Sequence, residues 1–381
     1  MKITILKENK NDSRVFVIPA DIKRLVQHKH DVYIVKDVGK LAGYSDQAYI
    51  ENGAKILPVN RAIIQADIIL KIATLKTREL RLIKPHQFVI SLFNLANQPK
   101  LLKQLLQRNI TTIGIEAIHH NQQYPFLIPN EEIKGRFGVN LAIYHLAKLD
   151  NTHLGKSFSP ITHNLDSAKV VVLNASYAGY EAVRYALALG CSVTLLENDE
   201  GTIKQMTNNP TLATLASIYH STFDVLKATF VELEKQITKA DVFINTNGIP
   251  GSLTAIRITE KMISTMHKGA IYVNLAADQG LASETEHKIS NINKLTHIFN
   301  DVIHFNMPNI STLFPVSIST SISHMISDIL ISNSQQTNAL AWIKTNKDLL
   351  NAVLTYQQSL TNQTVAEFLH LKYVPITSLI K

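Results

Sequence analysis

Cysteine is nearly absent from these 381 residues: Cys191 stands alone, so no disulfide can form within the chain. That excludes a disulfide-stapled secreted scaffold and suits a reducing, cytoplasmic compartment. Cys191 itself precedes an expected buried strand and reads as a small core residue. Long apolar runs are missing too. None reaches the ~20 residues needed to span a bilayer, so no membrane partner is expected. The opening Met1-Lys-Ile-Thr-Ile-Leu-Lys-Glu8 becomes charged too soon for a secretory h-region and reads as a first strand. The balance of charge is basic, at +8. Yet it comes without an Arg-rich block or an aromatic-interleaved basic strand, so nucleic acid is not an expected partner. A solvated surface, or a preference for anionic small molecules, accounts for it better. The 15 histidines include no H-x-x-x-H pair beside a carboxylate, so no zinc site is expected.

What is present is alternation of strand and helix. The β-branched run Lys169 to Leu173 enters a small-residue turn. An amphipathic helix follows through Glu181, Ala182, Tyr185, Ala186 and Leu189, and a second strand, Val193 to Leu196, ends on Glu197. This is the layout of a dinucleotide-binding Rossmann unit, with the acid ~20 residues after the turn, where it would accept hydrogen bonds from an adenosine ribose. The turn departs from G-x-G-x-x-G: it reads Asn174-Ala175-Ser176-Tyr177-Ala178-Gly179. Gly179 remains, the glycine that lets helix and strand pack closely. Asn174 tolerates left-handed backbone angles. Ser176 puts a side chain where backbone should approach a pyrophosphate.

Elsewhere, strands are expected over 3–6, 32–35, 68–72, 88–92, 111–115, 241–245 and 271–278, with helices from Pro19, over 99–108 and over 131–149. The polar stretch 150–168 reads as a loop, 317–332 as a return helix, and the remainder as helical with a Tyr373-Val-Pro tail. The expected fold class is α/β. It comprises two Rossmann-like domains with parallel sheets, the first discontinuous, separated by a cleft. Residues 1–130 and 308–381 form a substrate domain, and 131–307 a dinucleotide-binding domain.

Several motifs taken together resemble the family of alanine dehydrogenase and the soluble alpha chain of proton-translocating transhydrogenase. They are Lys7-Glu8-Asn9-Lys10 with Arg14-Val15 and Pro19, Gly53-Ala54, Ala66-Asp-Ile-Ile-Leu-Lys71, Pro125-Phe-Leu-Ile-Pro129 with Gly135-Arg136, Ile249-Pro-Gly251, Thr259-Glu260-Lys-Met262, Met266-His-Lys-Gly269, Ala276-Ala-Asp278-Gln-Gly280 and Leu371-Lys-Tyr-Val-Pro375. The resemblance implies reversible oxidative deamination of L-alanine with NAD as hydride acceptor, giving pyruvate and ammonia. It implies Arg14 as the cation for the substrate carboxylate and Asp278 as the acid beside the nicotinamide. It implies that Lys71, two residues before Ala73 on the same strand face, reaches towards the substrate pocket, and that Asn309, or Asn306 in a gapped alignment, stands on the nicotinamide side. Asn174, Ser176, Gly179 and Glu197 fall at the cofactor.

The resemblance also locates what is missing. The family's carbonyl-side lysine falls at Ala73 and its acid/base histidine at Asn94. Neither replacement transfers a proton near neutral pH, and help of that kind is worth roughly 10²- to 10⁴-fold in rate. A family serine facing the cofactor is here Glu131, whose charge would repel a pyrophosphate. Three functions follow as expectations: an alanine dehydrogenase-like oxidoreductase with impaired or altered activity, a non-catalytic nucleotide- or metabolite-binding homologue, or a divergent reductase of another amino or oxo acid. A homo-oligomer is expected from the family.

Overall fold

The protein was analysed as a computed structural model, which describes residues 1–121, 123–147, 155–159, 166–246, 256–276, 283–285, 295–306, 309–332 and 338–380. Two compact units emerge: Met1–Asn130 together with Ser311–Lys381, and Glu131–Ile310.

The strands of the first unit are β1 (Lys2–Ile5), β2 (Asp31–Ile34), β3 (Lys55–Ile56), β4 (Ile68–Leu70), β5 (Phe88–Ser91) and β6 (Thr111–Gly114). Those of the second are β7 (Lys169–Leu173), β8 (Ser192–Glu197), β9 (Phe223–Lys227), β10 (Val242–Asn245), β11 (Ile271–Asn274), β12 (Thr296–Phe299) and β13 (Val302–Asn306). The chain then returns to the first unit with β14 (Val353–Tyr356) and β15 (Ser359–Leu360).

The first sheet runs β15-β14-β6-β5-β4-β1-β2-β3 and the second β12-β13-β11-β10-β7-β8-β9. Within each, six parallel strands take the doubly wound order 3-2-1-4-5-6. The reversal of winding falls between β1 and β4 in one sheet, and between β7 and β10 in the other. Antiparallel pairing is confined to the margins, where β14 adds to β6 and β15 to β14, and β12 adds to β13.

Composition explains the layering. Strands β5, β6, β10 and β11 are buried at every position, as parallel strands covered on both faces must be. In the second unit Val171, Leu173, Leu196, Phe243 and Tyr272 face Ile258, Met262 and Ile263 in one apolar cluster. Phe243 and Tyr272 stack with ring centroids 5.5 Å apart. Helix starts follow local chemistry: Pro19 and Pro99 sit at first helical positions, and Ser176, Asp199 and Thr229 cap their helices through side-chain oxygens.

The long helix spans Ile128–Leu146, three residues earlier at each end than its apolar spacing suggested. The carboxy-terminal segment is not wholly helical: β14 and β15 form a hairpin that extends the first sheet. Thr355 secures it, its Oγ1 donating to the Ile110 carbonyl at 2.8 Å and meeting Thr112 Oγ1 at 2.8 Å. The strands pair with a partner far back in the chain, β6, which no local pattern in this segment points to. Most of the expected loop 150–168 lies outside the described residues. Among those residues, no helix is long and apolar enough to cross a membrane, and no group of three or more His, Cys, Asp or Glu could hold a metal ion.

Candidate functional site

In doubly wound sheets ligands bind outside the carboxyl ends of the strands at the reversal point. In the first unit that edge gathers the segments after β1, β4, β5 and β6. Glu8, just beyond β1, is buried, and its two oxygens accept the backbone N–H groups of Ile72 and Ala73 at 2.6 and 2.8 Å. It therefore clamps the turn after β4. Burial, with the Asp12 charge nearby, raises its carboxyl to about 8, although the two N–H groups and the Lys71 ammonium pull the other way.

Arg14 is 4% exposed and held on three sides. Its Nε and Nη2 donate to Asp12 Oδ1 and Oδ2 at 2.9 and 2.7 Å, and its Nη1 to Ser311 Oγ at 3.0 Å. A guanidinium carries five N–H donors, so two remain for a ligand. Lys71 is fully buried, and its Nζ pairs with Glu79 Oε2 at 2.7 Å. That oxygen also accepts the Lys76 N–H at 2.7 Å. The Lys71 ammonium is thus part of the turn that follows β4.

Ala73 presents a methyl group at that turn. Asn94 follows β5 in the left-handed region, with φ 45°. Its N–H donates to Glu116 Oε1 at 2.9 Å, and the Phe93 N–H to the same oxygen at 3.1 Å. An open cavity of about 460 Å³ lies against the segments after β4 and β5, where Thr74, Leu75, Asn97, Gln98 and Lys100 line it.

The second unit repeats the arrangement at the end of β7. Asn174 leaves β7 at φ 75°, and its N–H bonds to the Leu196 carbonyl at 2.8 Å. Asparagine occupies the left-handed angle that glycine usually takes. Ser176 caps the helix Tyr177–Ala188: its Oγ accepts the Gly179 N–H at 3.2 Å and donates to Thr246 Oγ1 at 3.1 Å. Thr246, directly after β10, closes the turn by hydrogen bonding at 2.8 Å to the carbonyls of Leu173 and Asn174. Gly179 has no room for a side chain, since a Cβ there would sit 2.0 Å from the Asn174 carbonyl oxygen. Gly135 of the long helix is equally tight, its Cβ position lying 2.3 Å from the Ala178 carbonyl oxygen.

Glu197 ends β8 as a strut. Its Oε2 accepts the Ala175 N–H at 2.7 Å, and its Oε1 those of Asn198 and Asp199 at 2.7 and 3.1 Å. A carboxylate offers about four acceptor positions. Three are taken by backbone, and one on Oε2 remains for a hydroxyl. Glu131 is neutralised within its own helix, with Lys134 Nζ 2.7 Å from Oε1, which weakens the repulsion expected from its charge. Asp278 lies outside the described residues. Asn309 is exposed, in the left-handed region at φ 56°.

Comparisons with known proteins identify the family. The model for "Alanine dehydrogenase/PNT, N-terminal domain" matches residues 4–134, and that for "Alanine dehydrogenase/PNT, C-terminal domain" residues 144–363. The chain belongs to the alanine dehydrogenase/PNT family. Alanine dehydrogenase of Methanococcus maripaludis is 29% identical over 384 residues, covering 98% of each chain. That of Staphylococcus haemolyticus is 26% identical over 386 residues, covering all of both chains. A solved L-alanine dehydrogenase superposes with a TM-score of 0.82 at 24% identity, over 97% of this chain and 99% of the other. A transhydrogenase from Sinorhizobium meliloti gives 0.74 at 19% identity, over 95% and 99%. The last two likenesses speak to the fold.

Within this family framework the first unit brings Arg14 and Lys71 to one sheet edge, and the second brings Asn174, Ser176, Gly179 and Glu197 to one turn. Asp12, Glu116 and Thr246 were not singled out by sequence. Asp12 was findable as an acid two residues before Arg14, and Glu116 as an acid just past an apolar strand. Thr246 gave no signal, because its contacts join β7 to β10 across 70 residues or more of chain.

Proposed function

We propose that this chain is an alanine dehydrogenase-like protein that binds NAD and a small amino or oxo acid, with turnover impaired or altered. The observation that carries the reading is the edge of the first sheet. It keeps a positioned guanidinium at Arg14 but has a methyl group at Ala73 and a carboxamide at Asn94, where the family places its lysine and histidine. In this reading the first unit takes the substrate and the second the nucleotide. By the family resemblance, Asp278 and Asn309 would serve on the nicotinamide side.

The residues after β7 fit a dinucleotide. The turn keeps its left-handed entry and its obligatory Gly179, the helix N-terminus offers N–H groups of its first turn, and Glu197 retains one acceptor for a ribose hydroxyl. The same carboxylate opposes a 2′-phosphate, which favours NAD over NADP. Bound NAD would supply the acceptor for the hydride of the amino acid's α-carbon. Arg14 would hold the substrate carboxylate through its two remaining N–H groups. Ser176 works against tight binding, because its Oγ already satisfies the Gly179 N–H. The reading carries with it a cytoplasmic homo-oligomer.

A second reading, a binding protein on the same scaffold without catalysis, is favoured by the loss of both proton-handling side chains at one edge. One experiment separates the two. Purified protein is titrated with NADH by fluorescence and then assayed with pyruvate plus ammonium. Binding with slow turnover is expected. Binding with no turnover on any oxo acid selects the second reading. No binding at ~1 mM, a concentration that reaches affinities as weak as about −4 kcal/mol, rejects both.

A further inference from the structure

We propose that Ser311 is a positioning residue for Arg14. Its hydroxyl holds the guanidinium at Nη1, where Asp12 does not reach, and adds no second negative charge, which leaves the remaining N–H groups to a substrate carboxylate. The proposal rests on the reading above, in which Arg14 holds that carboxylate.

Arg14 sits in a stretch that needs outside support. Residues 12–18 are neither strand nor helix, yet Asp12 and every residue from Arg14 to Ile18 are buried. Buried backbone N–H groups require partners, and two of these find serines on one helix, Pro315–Ser332. The Val15 N–H donates to Ser319 Oγ and the Ile18 N–H to Ser323 Oγ, both at 2.9 Å. Ser323 in turn donates to the Asp21 carboxylate. Ser319, Ser323 and Ser327 recur every four residues and so share one helix face. All three are fully buried, on a helix whose other buried side chains are Ile318, Ile322, Ile326 and Leu330. Serine is a poorer helix former than the apolar residues beside it. Ser319 and Ser323 offset that cost through the N–H groups they accept, and Ser311 extends the same support to a side chain. It lies in the short turn Ile310–Leu313 just before the helix, is 4% exposed, and accepts Arg14 Nη1 at 3.0 Å.

The chemistry at this position matters. Asp12 already gives the guanidinium one negative charge and takes its Nε and one Nη2 N–H. A second carboxylate at Nη1 would over-compensate the cation and repel an incoming anion. An apolar side chain would leave Nη1 unsupported and a buried N–H unpaired. Serine supplies a lone pair and no charge. One N–H then remains on each terminal nitrogen, the pair that can engage both oxygens of a carboxylate.

The test compares pyruvate with pyruvamide, in which an amide replaces the carboxylate, as calorimetric ligands of the NADH-loaded full chain. The natural chain should bind pyruvate more tightly. Ser311→Ala should weaken pyruvate about tenfold, as loss of support to a charged donor does, and leave pyruvamide and NADH unchanged. Ser311→Thr keeps the hydroxyl and should match the natural chain, whereas Ser311→Asp should abolish the preference for pyruvate with NADH binding intact. Ser327 is the control on the same helix face: its buried Oγ has no hydrogen-bond partner among the described residues, and Ser327→Ala should leave both ligands and the melting temperature unharmed. Equal weakening of the two ligands in Ser311→Ala, or no weakening of either, would reduce Ser311 to a structural residue and overturn the proposal. Should the alanine variant not fold, Ser311→Thr against Ser311→Asp decides: equal preference for pyruvate in both overturns it. A natural chain that binds NADH but does not favour pyruvate over pyruvamide would reject Arg14 as the carboxylate ligand, a failure of the underlying reading seen before any variant is made.

Discussion

Arg14 and Asp12 form a two-pronged pair, with Nε on Oδ1 at 2.9 Å and Nη2 on Oδ2 at 2.7 Å, almost wholly out of water. The contact has two consequences. It fixes the plane of the guanidinium, and it neutralises most of the charge that a substrate carboxylate would meet. Removing one partner leaves the other buried without compensation, which costs about 3–5 kcal/mol in pairs of this kind. Asp12→Asn and Arg14→Met should each destabilise the first unit by about that much, and the double variant by much less than the sum. Urea unfolding followed by the single tryptophan checks this directly, because Trp342 is buried in the first unit.

The Gly179 backbone permits nothing larger than hydrogen. Gly179→Ala would press a methyl group to 2.0 Å from the Asn174 carbonyl oxygen and 2.9 Å from Thr246 Oγ1, which opens the turn. NADH binding should be lost and the melting temperature lowered. Gly201→Ala is the control: its nearest neighbour is an Asp199 carboxylate oxygen at 3.2 Å in an exposed helix, and alanine should be neutral or slightly stabilising there. Fluorescence titration and thermal melts of the two variants make the comparison.

Ser176 acts as a substitute anion. Its Oγ takes the Gly179 N–H, which a phosphate oxygen would otherwise compete for. Ser176→Gly should tighten NADH binding several-fold while costing only a few tenths of a kcal/mol in helix capping. An NADH titration of the variant against the natural chain reads the difference.

Glu8 makes stability depend on pH in a defined direction. Its folded-state value, about 8, lies above the ordinary 4.5. The folded protein therefore holds this proton more tightly than the unfolded chain does. The associated stability is fully present below pH 4.5, declines as pH rises towards 8, and is level above that. Glu116, raised to about 7, adds to the same slope over a narrower range. Melting temperatures measured across this window should fall with pH in the natural chain and fall less steeply in Glu8→Gln.

Much of this molecule was legible before its structure. The strand, turn, helix and acid from Lys169 to Glu197 are local and strongly patterned, and each is where the spacing put it. Asn174 was expected to accept a left-handed angle, and it does, at φ 75°. What sequence missed depends on contacts between distant segments. Thr246 matters only because β10 lies beside β7. Glu131 is a different case, because its partner Lys134 lies one helical turn on, a local pairing legible once the helix is placed. The hairpin of β14 and β15 was missed because its pairing partner, β6, lies more than 200 residues back in the chain.

The most direct test of the account restores the two side chains that the first sheet's edge lacks. Asn94 already sits at φ 45°, a conformation histidine also tolerates, and Ala73 is only partly buried, so the backbone at both positions accepts Ala73→Lys with Asn94→His. Initial rates of NADH formation from L-alanine are then compared with those of the natural chain. The account predicts a large gain, within the roughly 10²- to 10⁴-fold that proton transfer of this type provides. A natural chain that oxidises alanine as fast as the double variant would contradict it.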